Sequence, residues 1–274
     1  MFRSVMHKCN LLYLILLLKV KLHNFYEICD ESTKTVPEGN IGESSILPWI
    51  GVIRVATSIG NERHIAITGA VLIKENFALA HANDVVRIPS SAYKNGIAMF
   101  IPSNGKPWKC KLDSHMVHPE FEFVSHNTLA LVKFTWPENE VNPVRHICCP
   151  LYNFNASNEL YAVGFTDENE LLEKIVFKMQ YIEKTVCQEY YKRIKFRSQE
   201  PDQYQCSFAI NSKKECQWEN GMALVSNSTG KWILIGLSTR GPGCFSPARF
   251  IEILPYLPWI KSVITADEDN NVYY

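Results

Sequence analysis

Short apolar segments rich in Val, Ile, Leu and Phe recur along this chain, at 50–56, 64–73, 98–101, 129–134, 160–165, 175–182, 222–225 and 232–237. Each is cut off within a few residues by a polar or turn-forming stretch. Segments of that length suit strands, and the intervals between most of them are too short for the helices of βαβ units, so the pattern predicts an all-β sandwich or barrel. Only 185–196 and 251–265 read as helix, the latter interrupted by Pro255 and Pro258. Residues 23–47 read as an extended lead-in with Pro37, Gly39 and Gly42. The folded body is expected over 48–265, opening at Pro48-Trp49, and 266–274 as a loose polar tail.

A length of 274 residues with 46% hydrophobic and 20% charged residues supports an ample core and excludes a mostly disordered chain. Lys plus Arg equals Asp plus Glu at 28 each, so no global field draws the chain toward nucleic acid or anionic lipid. The 9 cysteines are not grouped as CxxC pairs, which argues against a zinc module and for disulfides in an oxidising compartment. The N-terminus agrees. Arg3 and Lys8 precede an apolar run that Lys19 and Lys21 interrupt, which reads as a secretory signal peptide over about residues 1–22. An uncleaved anchor is the alternative, but the run is shorter than the roughly 20 apolar residues a spanning helix needs. A secreted protein without membrane contact after processing is expected, and removal of Cys9 leaves an even set of cysteines. Asn155-Ala-Ser157 and Asn227-Ser-Thr229 are glycosylation acceptor triplets.

Several segments occur in an order that carries more information than any one of them. Thr68-Gly-Ala-Val-Leu-Ile73 is followed by Phe77-Ala-Leu-Ala-His81-Ala82, then by His118-Pro119-Glu-Phe121, Leu129-Ala-Leu-Val-Lys-Phe134 and Ile147-Cys148-Cys149-Pro150. Val163-Gly164-Phe165, Cys216-Gln-Trp-Glu-Asn-Gly-Met-Ala-Leu-Val225, Gly236-Leu-Ser-Thr-Arg-Gly-Pro-Gly-Cys244 and Trp259-Ile260 complete the series. Over residues 35–262 it resembles the chymotrypsin-like serine proteases: the histidine strand, the HPxY loop, the DIALLKL strand, ICLP, the GWG turn, CQGDSGGPLV and GIVSWGxGC. The resemblance implies two six-stranded β-barrels with a short C-terminal helix, and a short lead-in without the six-cysteine clip module of some arthropod relatives.

The family's chemistry joins a serine nucleophile, a histidine general base and an orienting aspartate. The resemblance places His81 at the histidine, Thr128 at the aspartate and Asn220 at the nucleophile. Neither replacement can do the original work, since a threonine carries no charge to stabilise an imidazolium and a carboxamide forms no acyl-enzyme here. Trp218 stands where glycine opens the oxyanion hole, Glu219 replaces the aspartate that pairs with a newly cut N-terminus, and Pro37 stiffens the matching start. Lys214 lies at the position that selects the substrate's first side chain, though the favoured reading is a solvated lysine neutralised by Glu215. Arg240 replaces the tryptophan of the edge strand. Lys214, Trp218 and Arg240 are therefore the candidate binding residues of a relic cleft. His115 and His118 lack a supporting ligand pair, so neither metal nor cofactor is expected.

The resemblance also implies disulfides Cys187–Cys206 and Cys216–Cys244, Cys29 tethered to Cys148, and Cys110 left for Cys149, with swapped partners open among the last four. The family's histidine-loop bridge has become Thr68 and Ala82, and another pair has become Leu160 and Ser226. Together these features predict a secreted, catalytically inactive homologue that binds an extracellular protein as cofactor, decoy or scaffold in an immune cascade or a reproductive secretion. The alternatives are a weak hydrolase with an unrecognised nucleophile and a passive structural glycoprotein.

Overall fold

The computed structural model describes residues 29–30, 35–59, 62–102, 105–123, 126–137, 144–150, 159–166, 173–196, 200–210, 221–227, 230–239 and 246–271. A short strand, β1 (Gly39–Gly42), precedes a closed six-stranded barrel of β2 (Ile50–Ile59), β3 (Glu62–Lys74), β4 (Phe77–His81), β5 (Ile97–Phe100), β6 (Trp108–Val117) and β7 (Leu129–Thr135). Its circular order is β2-β3-β4-β7-β6-β5, antiparallel throughout. Residue types explain the strands. In β6 the exposed Lys109, Lys111 and Asp113 alternate with the buried Cys110 and Leu112, the period of a strand with one face on a core. β4 is buried at every residue because the barrel covers one face and the rest of the molecule the other. At Gly51 a β-carbon would lie 2.5 Å from the Met99 carbonyl oxygen, so the crossing of β2 and β5 requires glycine.

The second barrel comprises β8 (Leu160–Thr166), β9 (Glu173–Ile182), β10 (Tyr204–Ala209), β11 (Ala223–Ser226), β12 (Ile233–Ser238) and β13 (Ala248–Glu252). It runs β9-β10-β13-β12-β11-β8 and closes through the β8–β9 pairing. The two six-stranded barrels expected from the resemblance are thus present. Their interiors meet through Trp49 and Trp232, fully buried with ring centroids 6.1 Å apart, and Tyr161 adds a third ring 5.8 Å from Trp232. The connecting segment stitches both barrels: Ile147 N–H donates to the Leu72 carbonyl at 3.0 Å, Cys148 N–H to Trp232 at 3.0 Å, and Leu234 N–H to Cys148 at 2.9 Å.

The lead-in is more ordered than its composition suggests. β1 pairs with β9 and extends the second-barrel sheet, which places residues expected to precede the folded body inside it. Lys174 on β9 holds the following turn: its side chain is fully buried and Nζ donates to the carbonyls of Ile46 at 2.8 Å and Leu47 at 3.0 Å, where Leu47 adopts φ 56°. Burial without a carboxylate partner among the described residues brings the Lys174 ammonium down to about 7.

The disulfides Cys29–Cys148 and Cys187–Cys206 are formed. The expected Cys110–Cys149 bridge is not: both are buried free thiols. The physical reason is direction. Cys148 bridges to Ile233 in an extended segment and bonds to Cys29, so its neighbour Cys149 is turned to the opposite side, while Cys110 sits opposite Ala98 within the first barrel. Desolvation pushes both thiols up to about 12, so they are packing groups at neutral pH. Cys216 and Cys244 lie outside the described residues.

Helices follow the sequence expectation with one correction. The helix expected over 185–196 is Lys184–Arg193; two single-turn helices, α1 (Ala82–Val85) and α2 (Ser90–Tyr93), precede it in the chain, so it is α3. At the C-terminus, Ile251 and Glu252 end β13, a 3₁₀ turn spans Leu254–Tyr256, and α4 runs Leu257–Asn271, well into the stretch expected to be loose. Pro255 falls in the 3₁₀ turn and Pro258 in the first turn of α4, positions that need no intrahelical N–H donor, so neither breaks the helix. Ile260 and Ile264 pack into the first-barrel core, and Lys133 donates to Asp267 Oδ1 at 2.6 Å while Lys74 pairs with Glu268 at 3.5 Å.

Candidate active site

His81 ends β4 opposite Leu129 of β7, and Ala82 N–H donates to the Thr128 carbonyl at 2.9 Å, which sets Thr128 beside the histidine. The sequence supports this locally. Asn127 adopts φ 50°, a conformation asparagine tolerates, and its carboxamide is clamped on both sides, donating to the Glu120 carbonyl at 2.9 Å and accepting from the Tyr256 hydroxyl at 2.8 Å. The loop containing His118-Pro119 and the 3₁₀ turn before α4 thus hold the turn before Thr128. His118 packs edge-on against Tyr256 and Trp259, and His115 packs against Tyr93, so both histidines serve ring contacts here.

Within this scaffold the polar groups are mismatched. His81 is 4% exposed and Thr128 1%, yet neither His81 Nδ1 nor the Thr128 hydroxyl has a hydrogen-bond partner among the described residues. Among the described residues the carboxylate within 4 Å of the imidazole is Asp84 of α1, 3.9 Å from Nδ1, beyond hydrogen-bond reach. Asp84 Oδ2 instead accepts the Thr68 hydroxyl at 3.1 Å. The resemblance places Thr68 and Ala82 at the histidine-loop cysteine positions, and the Thr68–Asp84 hydrogen bond ties β3 to the helix that begins at Ala82. Burial lowers the His81 pKa; Asp84 opposes the shift and Arg87 reinforces it, leaving a neutral imidazole at physiological pH. Asp84 was not legible as a site residue, because only the fold brings its helix beneath Thr68.

The segment expected to carry the nucleophile arrives at this place. Gly221 adopts φ 79°, and a β-carbon there would stand 3.6 Å from the Gly69 backbone, so the residue following Asn220 is packed against β3, one residue from Thr68. Met222 N–H donates to the buried Ser238 hydroxyl at 2.9 Å, fixing β11 to β12 immediately beyond. Asn220 itself, with Lys214, Trp218, Glu219 and Arg240, lies outside the described residues, as does Asn155. Asn227 is half-buried, with its Oδ1 inaccessible to solvent. Among the described residues no three His, Cys, Asp or Glu side chains converge as metal ligands, and no helix is long and apolar enough to cross a membrane.

Comparison with known proteins follows the same lines. The family model described as Trypsin matches residues 38–260. Among curated proteins the chain is similar to a CLIP domain-containing serine protease B4 of Anopheles gambiae, 26% identical over 175 residues, covering 58% of this chain and 48% of that protein. The chain therefore spans about half the length of the curated relative it matches.

Proposed function

The chain belongs to the trypsin family, and from that premise we propose that it is a catalytically inactive serine protease homologue, secreted, that works by binding another extracellular protein. The observation that carries the reading is Thr128. The resemblance assigns it the orienting-acid position, and it lies beside a buried His81 whose Nδ1 has no hydrogen-bond partner among the described residues. A neutral imidazole held without an acid lacks the stabilisation that lets it take a proton from a nucleophile. The sequence adds Asn220 in place of the nucleophilic serine and Trp218 in place of the oxyanion-hole glycine, so of the catalytic apparatus only the histidine is kept. Secretion is supported by the short apolar run near the N-terminus and by two disulfides that suit an oxidising compartment. Cofactor, decoy or scaffold roles in an immune cascade or a reproductive secretion all suit such a protein.

The test is a fluorophosphonate probe together with a mixed peptide library. No stoichiometric labelling and no cleavage above a buffer control is expected. Labelling of the purified protein, or cleavage that persists through repurification, would return the chain to the active hydrolases.

A further inference from the structure

On the outer side of the first barrel a cavity of about 600 Å³ opens between the β2–β3 hairpin and the α1–α2 segment. Its walls are mostly apolar, with Ala56, Ala66 and Ile67 on one side and Ile88, Pro89 and Ala92 on the other, and polar side chains make up the rest. Large apolar side chains stand exposed beside these walls: Ile65 next to Ala66, Val86 next to the lining residue Arg87, and Phe123 beneath the Arg87 guanidinium at 4.8 Å. Exposed apolar area grouped around a concavity marks an interaction site more often than isolated surface residues do.

Among the described residues, cations around the cavity outnumber the one carboxylate that lines it, Asp84. Arg87 lines it, held in place by stacking on Phe123, and Lys94 is exposed between Ala92 and Asn95, both of which line it. Strand register puts Arg54 opposite both Ile67 and Ile97, and Lys111 opposite Ile97, so Arg54 and Lys111 share a sheet face with the lining Ile67. The carboxylate that lines the cavity, Asp84, is turned toward the Thr68 hydroxyl and His81. Because the whole chain carries 28 cationic and 28 anionic residues, this cluster is a local arrangement and no reflection of overall charge.

We propose that this face docks an acidic segment of a partner protein, with one or two apolar side chains seated in the cavity and carboxylates paired with Arg54, Arg87 and Lys94. A polysaccharide or nucleic acid would satisfy the cations but leave the apolar walls uncovered, whereas an acidic peptide with interspersed Leu or Phe matches both. The proposal rests on the binding-protein reading only for its biological use; the fluorophosphonate result bears on that reading and leaves this surface untouched.

The test uses the intact protein and three fluorescein-labelled ten-residue peptides, alternating Glu with Leu, Glu with Ser, and Lys with Leu, read by fluorescence anisotropy. The Glu/Leu peptide should bind at least about fivefold tighter than Glu/Ser and far tighter than Lys/Leu, and should weaken between about 50 and about 300 mM NaCl. Arg87→Glu combined with Lys94→Glu should cost at least about tenfold, Ala56→Trp should weaken binding by filling the cavity, and Lys192→Glu on α3 should change nothing. Equal Tm values confirm the fold of each variant, and the three-peptide comparison on wild type decides the matter even if a variant is unstable. Equal binding of Glu/Leu and Lys/Leu, indifference to the double charge reversal, or heparin binding tighter than the peptide and unaffected by Ala56→Trp would each overturn the proposal.

Discussion

At the scale of single residues, the turn that carries Thr128 is held beside His81 by groups from two other segments. Asn127, Tyr256 and the Glu120 carbonyl still hold the turn that presents residue 128 to His81, so a carboxylate introduced there would arrive in position. Thr128→Asp is therefore expected to give His81 Nδ1 a hydrogen-bond partner and raise the imidazole pKa, read from its NMR titration. No upward shift would mean that the two side chains do not face each other. Asn220→Ser alone is expected to leave activity at background in a peptide assay, since Thr128 and Trp218 remain. The thiols offer a second residue-scale check. Cys110 and Cys149, buried and with pKa values pushed up to about 12, should resist iodoacetamide in the native protein and be alkylated only after denaturation. A Cys110–Cys149 peptide in a non-reduced digest would contradict the packing described here.

At the scale of elements, two attachments outside the barrels contribute to stability. The turn before β2 depends on Lys174 of β9, and the sign of its pH effect follows from its lowered value. Between about 7 and the ordinary 10.5 the unfolded chain binds more protons than the folded one, so stability should rise with pH across that window. Below about 7 both states are protonated and this contribution no longer changes. A thermal melt series from pH 7 to pH 9 should show Tm rising, at roughly 2–4 °C per kcal/mol for a domain of this size. Lys174→Met should flatten that slope, and an equal slope in the variant would assign the effect elsewhere. The C-terminal helix α4 is tied through its last turns by Asp267 to Lys133 and Glu268 to Lys74. Asp267→Ala should cost about 1 kcal/mol in urea unfolding, because Lys133 is mostly covered and loses a short charged hydrogen bond.

At the scale of the whole molecule, one hydrophobic cluster runs from the first barrel through Trp49 and Trp232 into the second, which also holds a cluster of its own, and the lead-in is bonded to the 144–150 connection by Cys29–Cys148. Substituting both cysteines by serine should cost about 2–5 kcal/mol, the usual scale for a bridge in a secreted domain. Burial lowers the pKa of His81, His115 and His146 alike, so all three oppose protonation in the folded state. The unfolded chain then gains protons first as pH falls through the ordinary histidine range, and stability should drop there, measurable as a falling urea midpoint from pH 7 to pH 5.

That the chain is built mainly of strands could be read from the sequence, because short apolar segments cut off by turn residues are local properties, whereas the two-barrel arrangement was implied by the resemblance to chymotrypsin-like proteases. The assignments of Thr128 and Asn220 to the acid and nucleophile positions rest on the flanking motifs that carry the resemblance. Other features depended on contacts between residues far apart in the chain. A lead-in with Pro and Gly could not announce that β9 would pair with it or that a buried lysine would cap its turn. A polar tail could not announce that Lys133 and Lys74 would meet its carboxylates. The adjacent cysteines at 148 and 149 invited two bridges, but an extended backbone sends neighbouring side chains to opposite sides, and only the packed barrels determined which of them met a partner. The cavity flanked by Arg54, Arg87 and Lys94 belongs to the same class, since it exists only once β2, β3 and the α1–α2 segment have packed around it.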